Sequence, residues 1–261
     1  MAMGKDLLKT GEWPELTEKI RARTPARVLV ERAGSAYRTA THLELREAHA
    51  AARDAVRTEL ALDHDLGSEL VRRWNLFEVQ TLATTKDEYL LRPDLGRQFS
   101  PAARASIAQH CAAEVDLQVV IGDGLSVTAV RAQVPQLLPA VANAARARGW
   151  TLGQPFVVRY CRVGVMNALG ELLRAKVIVL LIGERPGLAT AESLSAYMAF
   201  QPTAGHNDAN RNLISNIHRR GVSIEAAAGR IADLAAQMML RQTSGVRLKE
   251  ELPPAAWLEK G

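Results

Sequence analysis

Seven consecutive residues, Val177-Ile-Val-Leu-Leu-Ile-Gly183, carry no polar side chain. The run is too short to cross a membrane, which takes ~20 apolar residues, and it is almost wholly aliphatic. It suits a strand covered on both faces, hence a central parallel strand. The turn after it, Gly183-Glu184-Arg185-Pro186-Gly187, encloses one acid and one base between two glycines, with a proline beside them. In open α/β sheets ligands sit beyond the carboxyl ends of the strands, so this turn is the first candidate for function. A plain strand-to-helix connection, whose glycines only permit positive φ, is the alternative.

Two further apolar runs repeat the pattern. Leu117-Gln-Val-Val-Ile121 ends in Gly122-Asp123-Gly124-Leu125-Ser126, and Phe156-Val-Val-Arg-Tyr160 leads into Cys161-Arg162-Val163-Gly164. Helical stretches separate them, one over about 126–148 with a break or restart expected at Pro135 and Pro139, and one near 164–174. A β-α-β-α-β order with short connections implies right-handed crossovers and a parallel sheet. The expected fold is therefore α/β: a doubly wound, mainly parallel, Rossmann-like sheet over residues 100–261, preceded by a mostly helical N-terminal region over 1–99.

Within that first region a short helix should run to a linker at Thr24-Pro25, and Arg27 to Arg32 should be extended. Thr41 with Glu44 forms a capping-box pattern for an amphipathic helix over about 42–60. Tyr89 to Arg92 reads as a strand entering a turn, and Ser100-Pro101 as a helix start with Ser as N-cap. Ser223 and Glu225 open the last long helix, whose Ile231, Leu234, Met238 and Met239 form an apolar stripe of core filler.

Several chemistries lack a complete set of residues. A dinucleotide site needs GxGxxG after a strand, and Gly122-Asp-Gly-Leu-Ser-Val lacks the third glycine. No GxxxxGKS or GxxxxGKT phosphate loop occurs. Asp123 is expected to cap the following helix, with a metal or ribose contact as the alternative. Ser126 has no His partner nearby, so a nucleophile elbow is not supported. His42 and His49 share a helix face without a third ligand, and no metal site is expected.

Cys111 and Cys161 form no CxxC pair, which argues against a disulfide framework and for a cytoplasmic protein. The net charge of +5 comes from 33 basic and 28 acidic residues dispersed along the chain, and only 5% of residues are aromatic, so nucleic acid is not an expected partner. A membrane is not expected either. Glu184 with Arg185 is either a functional pair or a loop salt bridge. Residues 207–218, rich in Asn, are either a polar loop or a source of hydrogen bonds for a large amide-fringed ligand.

Together, Val120-Ile-Gly-Asp-Gly-Leu-Ser126, Phe156-Val-Val-Arg-Tyr160, Gly183-Glu-Arg-Pro-Gly-Leu188, Ala191-Glu-Ser-Leu-Ser-Ala-Tyr197 and Ile214-Ser-Asn-Ile217 resemble the small subunit of ethanolamine ammonia-lyase. The motifs stand in the right order and the resemblance covers nearly the whole chain. It implies an adenosylcobalamin enzyme that turns ethanolamine into acetaldehyde and ammonia by a radical rearrangement, in a hetero-oligomer. It further implies a TIM-barrel large subunit that holds substrate and the reacting groups, while a chain like this covers the other side of the corrin; no catalytic residue is expected here.

Carried over position by position, the family's cobalamin contacts fall on Val163, Glu184 and Leu213. Gly183 and Gly187 are expected to let backbone approach the corrin, and Leu213 is expected to act through its main chain. Cys161 stands where the family has Gly, Leu213 where it has Cys, Ala189 for Gly and Asn210 for Asp; Glu31 and Ser35 also depart from the family pattern. A non-catalytic binding or assembly protein that kept the fold is the alternative those departures fit. The implied compartment is the cytoplasm or a bacterial microcompartment, although the targeting extension of some members is not expected at this N-terminus.

Overall fold

The computed structural model describes residues 13–23, 27–30, 32–187 and 190–250; the expected linker at Thr24-Pro25, Glu31 and Ala189 lie outside them. Helix α1 (Trp13–Arg23) and a small antiparallel hairpin, β1 (Arg32–Ala33) with β2 (Ala36–Tyr37), come first. Helices α2 (Thr39–Arg57), α3 (Leu62–Leu66) and α4 (Ser68–Trp74) follow, then strand β3 (Glu78–Gln80) and helices α5 (Lys86–Leu91) and α6 (Pro101–His110). Strand and helix then alternate through β4 (Leu117–Gly122), α7 (Val127–Ala147), β5 (Phe156–Arg159), α8 (Val165–Leu173) and β6 (Val177–Gly183). Strands β7 (Leu194–Phe200) and β8 (Asn212–Ile217) and helix α9 (Ile224–Arg241) come last.

Six strands form one sheet in the order β3-β5-β4-β6-β7-β8. The first four are mutually parallel, and β7 and β8 extend the sheet antiparallel. Every residue of β6 is buried, as a strand covered on both faces requires. Val177, Val179 and Leu181 face one cluster, shared with α7, α9 and Leu66 of α3. Ile178, Leu180 and Ile182 face the other, shared with α6 and α8. The alternation of side chains across a pleated strand thus builds the two covered faces of a doubly wound fold.

Several local expectations give way to stronger terms. Helix α7 runs unbroken through Pro135 and Pro139. A proline inside a helix costs ~3 kcal/mol, but burying an aliphatic side chain contributes ~1.5–3 kcal/mol, and Val130, Val134, Leu137, Leu138 and Val141 are all buried. Tyr89 to Leu91 is helix, not strand. Thr85 caps α5 by accepting from the Glu88 N–H at 3.2 Å, and the Glu88 carboxylate accepts from the Thr84 N–H at 2.7 Å. The capping box expected at Thr41 and Glu44 does not form, because α2 begins three residues earlier with Arg38 at its N-cap. Ser100, Ser126 and Ser223 do cap α6, α7 and α9. Residues 207–218 are not a loop throughout: a 3-10 turn, Asp208–Asn210, leads into β8.

Candidate functional site

Parallel strands send their carboxyl ends the same way, so the segments following β4, β5 and β6 meet at one edge of the sheet. The turn after β4 lies hard against the end of β6. Gly124 has φ +57°, and a Cβ there would collide with the Gly183 carbonyl oxygen; a Cβ on Gly183 would meet the Ser126 carbonyl oxygen. Two glycines thus let backbone pack on backbone where side chains would hold the loops apart.

Beside this contact is a cavity of about 350 Å³ lined by residues that include Leu125, Val163, Ile182, Glu184, Tyr197 and Leu213. Val163, Glu184 and Leu213, far apart in the chain, are thereby brought together. Val163 follows β5, Glu184 follows β6, and Leu213 lies on β8 in register with Tyr197 of β7. Leu213 lines the cavity and is 45% exposed, so surface of this residue is open at the site. Gly183 is at the cavity, whereas Gly187 lines a separate hollow against Glu44, Glu47 and Ala48 of α2.

Glu184 does not bond Arg185. Its carboxylate accepts from the Ser193 hydroxyl at 2.8 Å, from the Ser195 hydroxyl, and from the Asn216 N–H at 3.3 Å. It therefore fastens the end of β6 to β7 and β8. The next link is Asn216, at φ 62°, whose side-chain oxygen sits 2.7 Å from Nε2 of the buried His218. The Arg220 N–H donates to Nδ1 of the same ring at 3.2 Å. That assigns the proton to Nε2, and burial pulls the His218 pKa below its ordinary value.

Asp123 is not a helix cap; Ser126 fills that role for α7, accepting from the Ala129 N–H at 3.2 Å. The buried Asp123 carboxylate instead accepts from the Tyr160 and Cys161 N–H groups, both at 2.9 Å, with Lys86 Nζ 3.8 Å away. Burial pushes the Asp123 carboxyl up and the Lys86 ammonium down from their ordinary values, while their mutual attraction opposes both shifts. Burial likewise pushes the Cys161 thiol up, so it stays protonated, a packing group rather than a nucleophile. The Ser126 hydroxyl is spent on the Ala191 carbonyl at 2.5 Å.

The asparagines of 207–216 use their amides within the chain. Asn207 accepts from Ala209, Asn210 from Asn207, and Asn212 bridges Gly245 and Leu248. A second, larger cleft of about 710 Å³ shares Arg162, Val163 and Tyr197 with the first and is edged by Arg97, Arg104 and Arg211. Among the described residues no three His, Cys, Asp or Glu side chains are grouped to hold a metal, and no helix is long and apolar enough to cross a membrane. Sequence reading missed Lys86 and Tyr89 at this site. The pattern Thr85-x-x-Glu88, a helix start, was the available signal.

Residues 14–249 match the sequence model of the ethanolamine ammonia-lyase light chain. The ethanolamine ammonia-lyase small subunit of Clostridium perfringens is 43% identical over 231 residues, spanning 88% of this chain and 76% of that protein. That of Clostridioides difficile is 41% identical over 243 residues, 93% of this chain and 81% of that protein. That of Clostridium acetobutylicum is 41% identical over 235 residues, 90% of this chain and 94% of that protein.

Proposed function

This chain belongs to the ethanolamine ammonia-lyase light-chain family, and on that footing we propose that it covers one side of the corrin of adenosylcobalamin, opposite a TIM-barrel large subunit that holds ethanolamine. The observation that carries this reading is the convergence of Val163, Glu184 and Leu213 on one cavity at the sheet's carboxyl edge. As a small subunit the chain works in a lyase complex, releasing acetaldehyde and ammonia, in the cytoplasm or a bacterial microcompartment.

The residues present fit such a group. Small-molecule sites span ~300–1,000 Å³, so a cavity of about 350 Å³ takes one face or edge of a macrocycle and leaves the rest to a partner. Leu125, Val163, Ile182 and Leu213 give it an apolar wall suited to a ring's hydrocarbon face. The Glu184 carboxylate, fixed by three donors, keeps acceptor capacity for amide N–H groups on a ligand's rim. Adenosylcobalamin, when bound, supplies the radical chemistry. This chain's residues seat the ring, hold its orientation and keep water from the covered face.

Glu184 is the only carboxylate among the described residues lining the cavity, and its fixed position suits binding better than proton transfer. The reacting groups therefore belong to the large subunit. Two of the departures from the family are accommodated by the fold: Cys161 is buried, and Asn210 accepts from the Asn207 N–H at 2.9 Å, as a carboxylate also would. Both facts favour an active subunit over an assembly protein that lost the cofactor. The test is co-expression with the cognate large subunit and assay of acetaldehyde from ethanolamine, with and without adenosylcobalamin. Turnover that needs both chains and the cofactor is expected; equal turnover by either chain alone refutes the reading.

A further inference from the structure

We infer that Asp123, backed by Lys86, is a positioning residue: it fixes the backbone of Tyr160 and Cys161 and, through it, the place of Val163 against the cofactor. The inference rests on the functional reading above. Asp123 does not line the cavity; it acts from behind, on the segment that does.

Every backbone polar group from Tyr160 to Arg162 has a partner. The Tyr160 N–H donates to Asp123 Oδ2 and the Cys161 N–H to Asp123 Oδ1, each at 2.9 Å. The Tyr160 carbonyl accepts from the Thr81 hydroxyl at 3.0 Å, and the Cys161 carbonyl from the Tyr89 hydroxyl at 3.0 Å. The Arg162 N–H donates to the Gly96 carbonyl at 2.8 Å, and the Arg162 carbonyl accepts from the Val165 N–H at 3.0 Å. Val163 lies between these last two bonds, so it has little freedom once they are made.

Tyr160 is the strained link. Its φ of 55° is left-handed, which a bulky residue rarely adopts. Two successive N–H groups, on Tyr160 and Cys161, converge there on one carboxylate, as in an anion-binding nest. A carboxylate accepts at both oxygens, so it holds the two N–H groups together; an asparagine amide, with one oxygen, cannot. Lys86 joins the same point to the turn after β4, donating to the Gly124 carbonyl at 3.2 Å while it faces Asp123. For stability alone a buried ion pair is no better than well-packed apolar residues. What apolar residues cannot do is hold this pair of N–H groups.

The experiment uses the complex with the large subunit. Cobalamin is titrated into wild type, Asp123→Asn and the double variant Asp123→Asn/Lys86→Met, with subunit assembly and Tm recorded alongside. The single variant should lose at least tenfold in affinity and also Tm, because Lys86 is left buried without its counter-charge. The double variant should regain Tm while keeping the tenfold loss, because one N–H of the nest still lacks its acceptor. Should the single variant fail to fold, the double variant carries the test. Affinity that recovers together with Tm in the double variant, or never falls, overturns the inference and leaves the functional reading standing. A wild-type complex that binds no cobalamin overturns both.

Discussion

Replacing Leu213 by alanine truncates an exposed cavity residue on β8, the strand at one margin of the sheet. Leu213 is 45% exposed, so somewhat under half of its surface remains to be covered when a ligand binds. Full burial of a leucine is worth ~1.5–3 kcal/mol, which leaves about 0.7–1.4 kcal/mol for the ligand to gain. The alanine variant should therefore bind cobalamin about three- to tenfold more weakly. Leu213→Cys keeps part of the apolar surface and should fall between alanine and wild type. The assay is a cobalamin titration of each variant reconstituted with the large subunit, with Tm recorded to separate loss of seat from loss of fold. Alanine binding as tightly as wild type would refute a side-chain contact and restore the main-chain one expected from sequence.

Glu184→Gln keeps the shape but gives up a charged acceptor for Ser193, Ser195 and Asn216; this part-buried site should lose ~1–2 kcal/mol, read as a lower Tm with weaker cofactor retention. His218 has a depressed pKa in the folded chain. The unfolded chain therefore binds the proton more readily, and stability is fully present above the ordinary value near 6.5 and falls as pH drops through the folded pKa. Tm against pH should show that acid-side fall, and His218→Gln should flatten it; identical profiles would count against the assignment. Ser126→Ala removes the α7 cap and the donor to the Ala191 carbonyl, for about 1–2 kcal/mol, and an unchanged Tm would contradict the cap.

How far the sequence spoke depended on burial and period. Val177–Gly183 was legible because a strand covered on both faces is uniformly apolar over a length no helix or membrane span would choose. Strand β8 was hidden for the opposite reason. Its buried residues, Ile214 and Ile217, stand three apart instead of two, beside an irregularity in its pairing with β7 and the left-handed Asn216. That spacing erases the alternation by which a half-buried strand is recognised. Asp123 read as a cap because a short acid before a helix usually is one. Its true partners, Tyr160 and Cys161, follow a different strand, a pairing that only the closed sheet creates.

The same sheet decides where this chain can present a cavity. The interior strands β4 and β6 have every residue buried, and only the last residues of β6, Ile182 and Gly183, reach the cavity. Exposure is confined to where strands end and to the antiparallel margin, and there the chain places Glu184, Tyr197 and Leu213. The antiparallel turn of β7 and β8 is what brings Leu213 back beside residues at the end of β6; a further parallel strand would have needed a crossover helix over that face. Such a helix would cover the margin on which Leu213 stays 45% exposed. Ending the sheet in two antiparallel strands thus leaves Leu213 at an open margin beside the cavity.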